Sequence, residues 1–222
     1  MDESSEEPVG RAPIELVCFD LGGVLIQAAS GGWIGACQRA GVPIRQELER
    51  LRSSLDLERF NNDFETGRLS VDRFVDKLAE VTLYEPSQLL AIFRSWLVGF
   101  YPGIESLLKR LADTPVELSC LSNTNPVHWQ HLITHPQFKP LEGLHHRFAS
   151  HLIGARKPDL EAYEHVENEL DIDPETILFF DDMTRNCVAA RENYWNVVRI
   201  DSKNDPAAQI EKALRRYKVL KD

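Results

Sequence analysis

The feature that most constrains this chain is an alternation of short apolar runs with segments whose apolar residues recur at helical spacing. The runs are IELVCFD (14–20), VELSCLS (116–122), HRFAS (146–150), TILFFDD (176–182) and NVVRI (196–200), rich in β-branched and aromatic residues. Continuous apolar runs fit strands covered on both faces, and parallel neighbours need a crossover long enough to hold a helix. Between the runs, GIESLLKRLA (103–112) puts Ile104, Leu107, Leu108 and Leu111 on one stripe, and LEAYEHVENEL (160–170) and PAAQIEKALRRY (206–217) repeat the spacing. The pattern predicts an α/β fold, a doubly wound parallel sheet.

One interval breaks the alternation. From about 27 to 101 the sequence shows helical segments only, RQELERLRSSLDLERF (45–60), SVDRFVDKLAEV (70–81) and PSQLLAIFRSWLVGF (86–100) among them. Gly31 and Gly32 stand near its entry and Pro102-Gly103 at its exit, where they can serve as hinges. The expected organisation is an acidic, disordered tail at 1–11, a core domain built from 12–27 and 102–222, and an inserted helical domain at 28–101. A net charge of −10 argues against a nucleic-acid surface. No apolar stretch approaches the roughly 20 residues of a membrane span, and Cys18, Cys37, Cys120 and Cys187 lie apart in sequence, with Cys18 and Cys120 inside apolar runs. These features predict a cytoplasmic protein with no membrane partner.

Polar residues gather where the apolar runs end. The first run closes on Asp20, the second on Ser122-Asn123-Thr124-Asn125, the fourth on Asp181-Asp182, and Lys157 follows the third in GARKPD. In an open parallel sheet the carboxyl edge is where ligands bind, so these side chains are expected to converge. Carboxylates there can hold a hard divalent cation, and a lysine and a hydroxyl can hold phosphate oxygens. The set is suited to phosphoryl transfer.

Taken in order, FDLGGV (19–24), CLSNTN (120–125), ARKPD (155–159) and FFDDMTRN (179–186) resemble the four motifs of the haloacid dehalogenase superfamily, with its Rossmann-type core. The insert stands where that family places a substrate-selecting cap. FDLGGV, LSNTN, RKP, FFDD and ETGRLS (65–70) resemble more narrowly the branch that contains α-D-glucose-1-phosphate phosphatase. The resemblance implies a magnesium-dependent phosphatase acting on a small phosphorylated metabolite, a sugar phosphate above all. Asp20 would be the nucleophile that forms an aspartyl phosphate. Asp20, the Gly22 carbonyl and Asp182 would hold Mg2+, with Asp181 and Asn186 supporting from behind. Ser122, Asn123 and Lys157 would bind the phosphoryl group, Ser122 and Lys157 as part of the catalytic set.

Gly22 departs from the family pattern, which usually carries there the acid that protonates the leaving group. General acid–base catalysis is worth about 10²–10⁴-fold, so turnover is expected to depend on the leaving group and to favour an anomeric oxygen. Two other functions share these motifs. A dehalogenase of the L-2-haloacid type also works without a second acid, though it has no need of the Asp181-Asp182 pair. A catalytically impaired interaction protein would keep the fold alone. His128, His131, His135, His145 and His146 have no paired ligands to complete a zinc set and read as ordinary helix and loop residues. Phe93, Trp96, Phe100 and Tyr101 read as packing residues that can also line a pocket, and Trp33 is open to either use.

Overall fold

The structure is a computed structural model that describes residues 12–47 and 55–221. The expected tail at 1–11 and the middle of the helix expected at 45–60 lie outside the described residues. In chain order the strands are β1 (Leu16–Phe19), β2 (Ile26–Ala28), β3 (Leu97–Phe100), β4 (Glu117–Ser122), β5 (His146–Ala149), β6 (Ile177–Asp181) and β7 (Asn196–Arg199). The helices are α1 (Trp33–Ala40), α2 (Leu55–Glu65), α3 (Val71–Thr82), α4 (Pro86–Ser95), α5 (Ile104–Leu111), α6 (Pro126–Thr134), α7 (Ser150–Ile153), α8 (Leu160–Leu170), α9 (Thr184–Glu192) and α10 (Pro206–Arg216).

Five strands form a parallel sheet in the order β5-β4-β1-β6-β7. Period-2 alternation divides their side chains between two cores. Val17, Phe19, Leu118, Cys120, Leu178 and Phe180 pack with residues of α5, α6 and α10, whereas Leu16, Cys18, Leu121, Ile177 and Phe179 pack with Tyr163 and Val166 of α8 and Ala190 of α9. Helices therefore cover both faces, as the unbroken apolar runs require. β1 has β4 on one side and β6 on the other, so connections leave it in opposite directions and a crevice opens at its carboxyl end.

Helices α1 to α4 build their own apolar cluster. Phe64 stacks on Phe74 with ring centroids 3.9 Å apart, and Phe74 meets Phe93 edge-on at 5.4 Å. Ala36, Cys37, Leu78, Leu89 and Ile92 close around them, and Val127 joins from α6. Ser70 starts α3 by accepting from the Arg73 amide, and at α4 the Glu85 amide donates to the Gln88 side chain.

The sequence reading needs one correction here. It places no strand between 27 and 101, yet β3 at Leu97–Phe100 pairs antiparallel with β2. LVGF is too short a run for periodicity to separate strand from helix. Its pairing is tertiary: Ala29 N–H donates to the Trp96 carbonyl at 2.8 Å, and Gln137 Nε2 donates to the Val98 carbonyl at 2.7 Å. This ribbon carries the chain out to the helices and back.

Candidate active site

Asp20 leaves β1 with its amide still in the sheet, donating to the Phe180 carbonyl at 2.8 Å. Its Oδ1 accepts from the Leu21 amide at 2.7 Å and meets Lys157 Nζ at 3.0 Å. The same ammonium donates to Asp181 Oδ2 at 2.7 Å and lies 5.2 Å from the centre of the Phe179 ring. Lys157 and Asp181 are both fully buried. Burial works against the Lys157 charge, but Asp20 and Asp181 hold its proton on firmly. Burial, and then the Asp181 charge, hold Asp20 above the usual carboxylate range, with Lys157 opposing.

Asp181 is surrounded by donors. Besides Lys157 it accepts from the Met183 amide at 2.8 Å and from Asn186 Nδ2 at 3.1 and 3.0 Å to its two oxygens. Asn186 is itself anchored, its carbonyl accepting from the Tyr163 hydroxyl at 2.9 Å. Asp182 has a different setting: it is half-buried and lifted above its ordinary pKa by burial and by Asp181. Among the described residues, Asp20, Asp181 and Asp182 form the one carboxylate group in which oxygens from all three lie within 4.8 Å of one another. Three carboxylates balanced by a single ammonium suit a hard divalent cation. With Asp181 engaged by four donor contacts, Asp20 and Asp182 are the pair left to ligate it.

The structure brings together the expected site residues Asp20, Gly22, Ser122, Asn123, Lys157, Asp181, Asp182 and Asn186, with one change of part. Asn123 was expected to bind substrate, but its Nδ2 donates to the Lys157 carbonyl at 2.7 Å and its Oδ1 accepts from the Lys157 amide at 2.9 Å. Both ends of the amide thus fix the lysine's backbone. Ser122 is buried at the end of β4 and faces a cavity of about 240 Å³ that Gly22 also lines. The cap of α6 is Asn125, whose Oδ1 accepts from the Val127 and His128 amides.

Opposite the sheet edge the cavity wall is mainly apolar, with Ile26, Trp33, Phe64, Phe93, Trp96 and Leu97 beside Asn61. Three of the five aromatics left ambiguous by the sequence therefore line it, while Phe100 and Tyr101 pack on the core. Two features escaped the sequence reading. Glu65, the acid of ETGRLS, stands on the cavity wall, and Arg156, beside Lys157, binds it through Nη2 to Oε2 at 2.9 Å. Arg156 Nη1 also donates to Asn62 Oδ1. Both motifs were visible, but nothing local to either sequence pairs them.

The haloacid dehalogenase-like hydrolase family model matches residues 14–192. The chain belongs to that family of hydrolases. The chain is similar to the sesquiterpene phosphatase AstK of Aspergillus oryzae, 30% identical over 182 residues that cover 78% of this chain and 83% of AstK. Among solved structures, a haloacid dehalogenase-family enzyme of Bacteroides thetaiotaomicron superposes with a TM-score of 0.78 at 26% identity, covering 87% of this chain and 97% of its own. The wild-type form of that enzyme has also been solved with magnesium and inorganic phosphate, and it aligns with a TM-score of 0.73 at 26% identity, covering 86% of this chain and 96% of its own. An L-2-haloacid dehalogenase from Xanthobacter autotrophicus shares the fold, with a TM-score of 0.61 at 20% identity and coverage of 94% and 85%.

Proposed function

We propose that this hydrolase is a magnesium-dependent phosphomonoesterase that works through Asp20. The observation that carries the reading is the Lys157 ammonium set between Asp20 and Asp181, beside the half-buried carboxylate of Asp182. Bound magnesium would neutralise charge on a transferring phosphoryl group. Lys157 and the Leu21 amide fix Asp20 Oδ1, which leaves Oδ2 as the attacking atom. Attack would form an aspartyl phosphate and release an alcohol, and water would then split the acyl phosphate. Ser122 lines the cavity and would bond a phosphoryl oxygen with its hydroxyl, while Asn123 holds Lys157 in register. A dehalogenase would have no use for the Asp181-Asp182 pair at the end of β6, and the intact set argues against a purely scaffolding role.

Helices α1 to α4 act as a cap over this edge, and their aromatic wall supports an apolar organic group on the phosphate. A sugar needs several hydrogen-bond partners in a buried site. Here the polar side chains of Asn123 and Asn125 are already engaged, which leaves Asn61, Glu65, Ser122, Thr124 and His128 as the polar groups among a mainly apolar lining. At about 240 Å³ the cavity falls below the roughly 300–1,000 Å³ common for ligand sites, so it suits the phosphate and the first carbons of a chain. The sesquiterpene phosphatase relative supports the same choice over the sugar 1-phosphate suggested by motif resemblance.

Phosphate release with and without magnesium tests both levels. The panel would be prenyl and short alkyl monophosphates, glucose 1- and 6-phosphates, p-nitrophenyl phosphate and 2-chloropropionate. Expected is magnesium-dependent release with prenyl phosphate preferred, abolished in Asp20→Asn. Halide release, or activity that survives Asp20→Asn, would overturn the reading; preference for glucose 1-phosphate would overturn only the apolar substrate.

A further inference from the structure

The acid missing at Gly22 leaves a gap in the proposed reaction, because an alkoxide leaving group needs a proton and the attacking water must lose one. A Cβ built on Gly22 meets nothing within 4 Å, so the position is open to the cavity. Any substitute acid must face that same space. Two ionisable side chains among the described residues line it, His128 and Glu65.

His128 is poorly suited to carry the proton. The Asn125 amide is oriented by the helix cap, with Oδ1 accepting from two backbone amides, so its Nδ2 donates to His128 Nδ1 at 3.1 Å. That places the imidazole proton on Nε2, which has no hydrogen-bond partner. Burial also pushes the ring down to about 4, so it stays neutral near pH 7. A neutral ring with Nδ1 engaged is a hydrogen-bond donor and neither a base nor a strong acid.

Glu65 has the position and the chemistry. It ends α2, and Gly67 just beyond it presses against the body of the protein: a Cβ there would lie 2.4 Å from the His151 carbonyl oxygen of α7. This close approach, together with Asn62 and Arg156, fixes the end of the helix over the site. Arg156 meets Oε2 at 2.9 Å, but outside hydrogen-bonding geometry. Burial raises the carboxyl's proton affinity, while Arg156 and Arg185 oppose it.

We propose that Glu65, supplied by the cap, is the catalytic acid and base that residue 22 lacks the side chain to be. The step balances. As Asp20 Oδ2 bonds to phosphorus, the bond from phosphorus to the ester oxygen breaks with its electron pair left on oxygen, and the Glu65 proton passes to that oxygen. In the second half, the Glu65 carboxylate takes a proton from the water that attacks phosphorus. The bond to Asp20 then breaks, and phosphate leaves with Glu65 protonated again. Glu65 and Ser122 line the same cavity, with Gly22 between β1 and that space, so a phosphomonoester held at Ser122 shares the cavity with the Glu65 carboxyl.

The inference rests on the phosphatase reading, and the test separates the two. kcat/KM would be measured for aryl and alkyl phosphates of graded leaving-group pKa, in wild type, Glu65→Gln, Arg156→Met and Glu65→Gln with Gly22→Asp. Wild type should show a shallow dependence. Glu65→Gln should lose about 10²–10³-fold on alkyl phosphates and under tenfold on p-nitrophenyl phosphate, with a burst of p-nitrophenol before slow turnover. Gly22→Asp in that background should restore alkyl phosphates by at least tenfold. Arg156→Met, which removes the ion pair and keeps the acid, should retain the shallow slope. An unchanged slope in Glu65→Gln, or equal uniform losses in Glu65→Gln and Arg156→Met, would reduce Glu65 to holding the cap. A wild type with no magnesium-dependent phosphatase activity on any ester would overturn the phosphatase reading, and this inference with it.

Discussion

At the scale of single residues, the pair Gly22-Gly23 shows how differently two adjacent glycines serve one site. Gly23 has φ +77, and a Cβ on it would lie 2.4 Å from Asp182 Oδ2. The backbone must pass against the carboxylate proposed to hold the cation, and only glycine allows it. Gly22 lies outside the left-handed region and its missing Cβ meets open space. Alanine at 22 should therefore change stability by less than about 1 kcal/mol, through unfolded-state entropy alone. Alanine at 23 should cost about 1–2 kcal/mol in backbone strain and push Asp182 aside as well. Urea unfolding combined with magnesium calorimetry checks both: Gly23→Ala should lose stability and metal affinity together, Gly22→Ala neither. Equal behaviour of the two variants would remove the close approach as the reason for the second glycine.

At the scale of elements, the runs that became β1, β4 and β6 were legible because these central strands are buried on both faces, and burial writes itself as uninterrupted apolar sequence. The edge strands β5 and β7 are only partly buried and were marked by their β-branched and aromatic residues. The site was legible for a related reason, since polar residues that close such runs fall on one edge. What stayed hidden depends on contacts between distant segments. LVGF becomes β3 through pairing with β2, and Glu65 and Arg156 carry meaning only once α2 lies on α7. Gly67 marks that docking. Its φ of +71 and its approach to the His151 carbonyl impose two separate costs on a side chain, whereas Gly41 at the end of α1 has φ +67 and nothing within 4 Å. Gly41→Ala should thus lose about 1 kcal/mol from conformation alone. Gly67→Ala should lose more, and hydrogen exchange should quicken in α2 with no matching change in β1 or β6. Equal losses, or an α2 as protected as in wild type, would show that the helix does not depend on this contact.

At the scale of the whole molecule, the fold concentrates negative charge at one edge of a chain that is already acidic, with net charge −10. β1 brings Asp20, β6 brings Asp181, and the turn after β6 brings Asp182, with Lys157 as the ammonium among them. Two like charges within 4.8 Å repel by about 3.5 kcal/mol or more at an effective dielectric of 20, so the metal-free protein carries a stored electrostatic cost at this edge. A cation that binds the folded state relieves it. At a hundred times its Kd such a ligand adds about 2.7 kcal/mol, which for a chain of this size is a rise of about 5–10 °C in Tm. Asp182→Asn removes one of the charges without removing volume, so it should act with opposite signs in the two states. Without magnesium its Tm should exceed that of the wild type, because a repulsion is gone; with magnesium it should fall below, because the ligand is gone too. Thermal unfolding of both proteins with excess EDTA and with millimolar magnesium should show the two orders crossing. A lower Tm for Asp182→Asn in EDTA, with a magnesium-dependent rise as large as the wild type's, would mean that Asp182 is held by the protein's own donors and that the cation sits elsewhere.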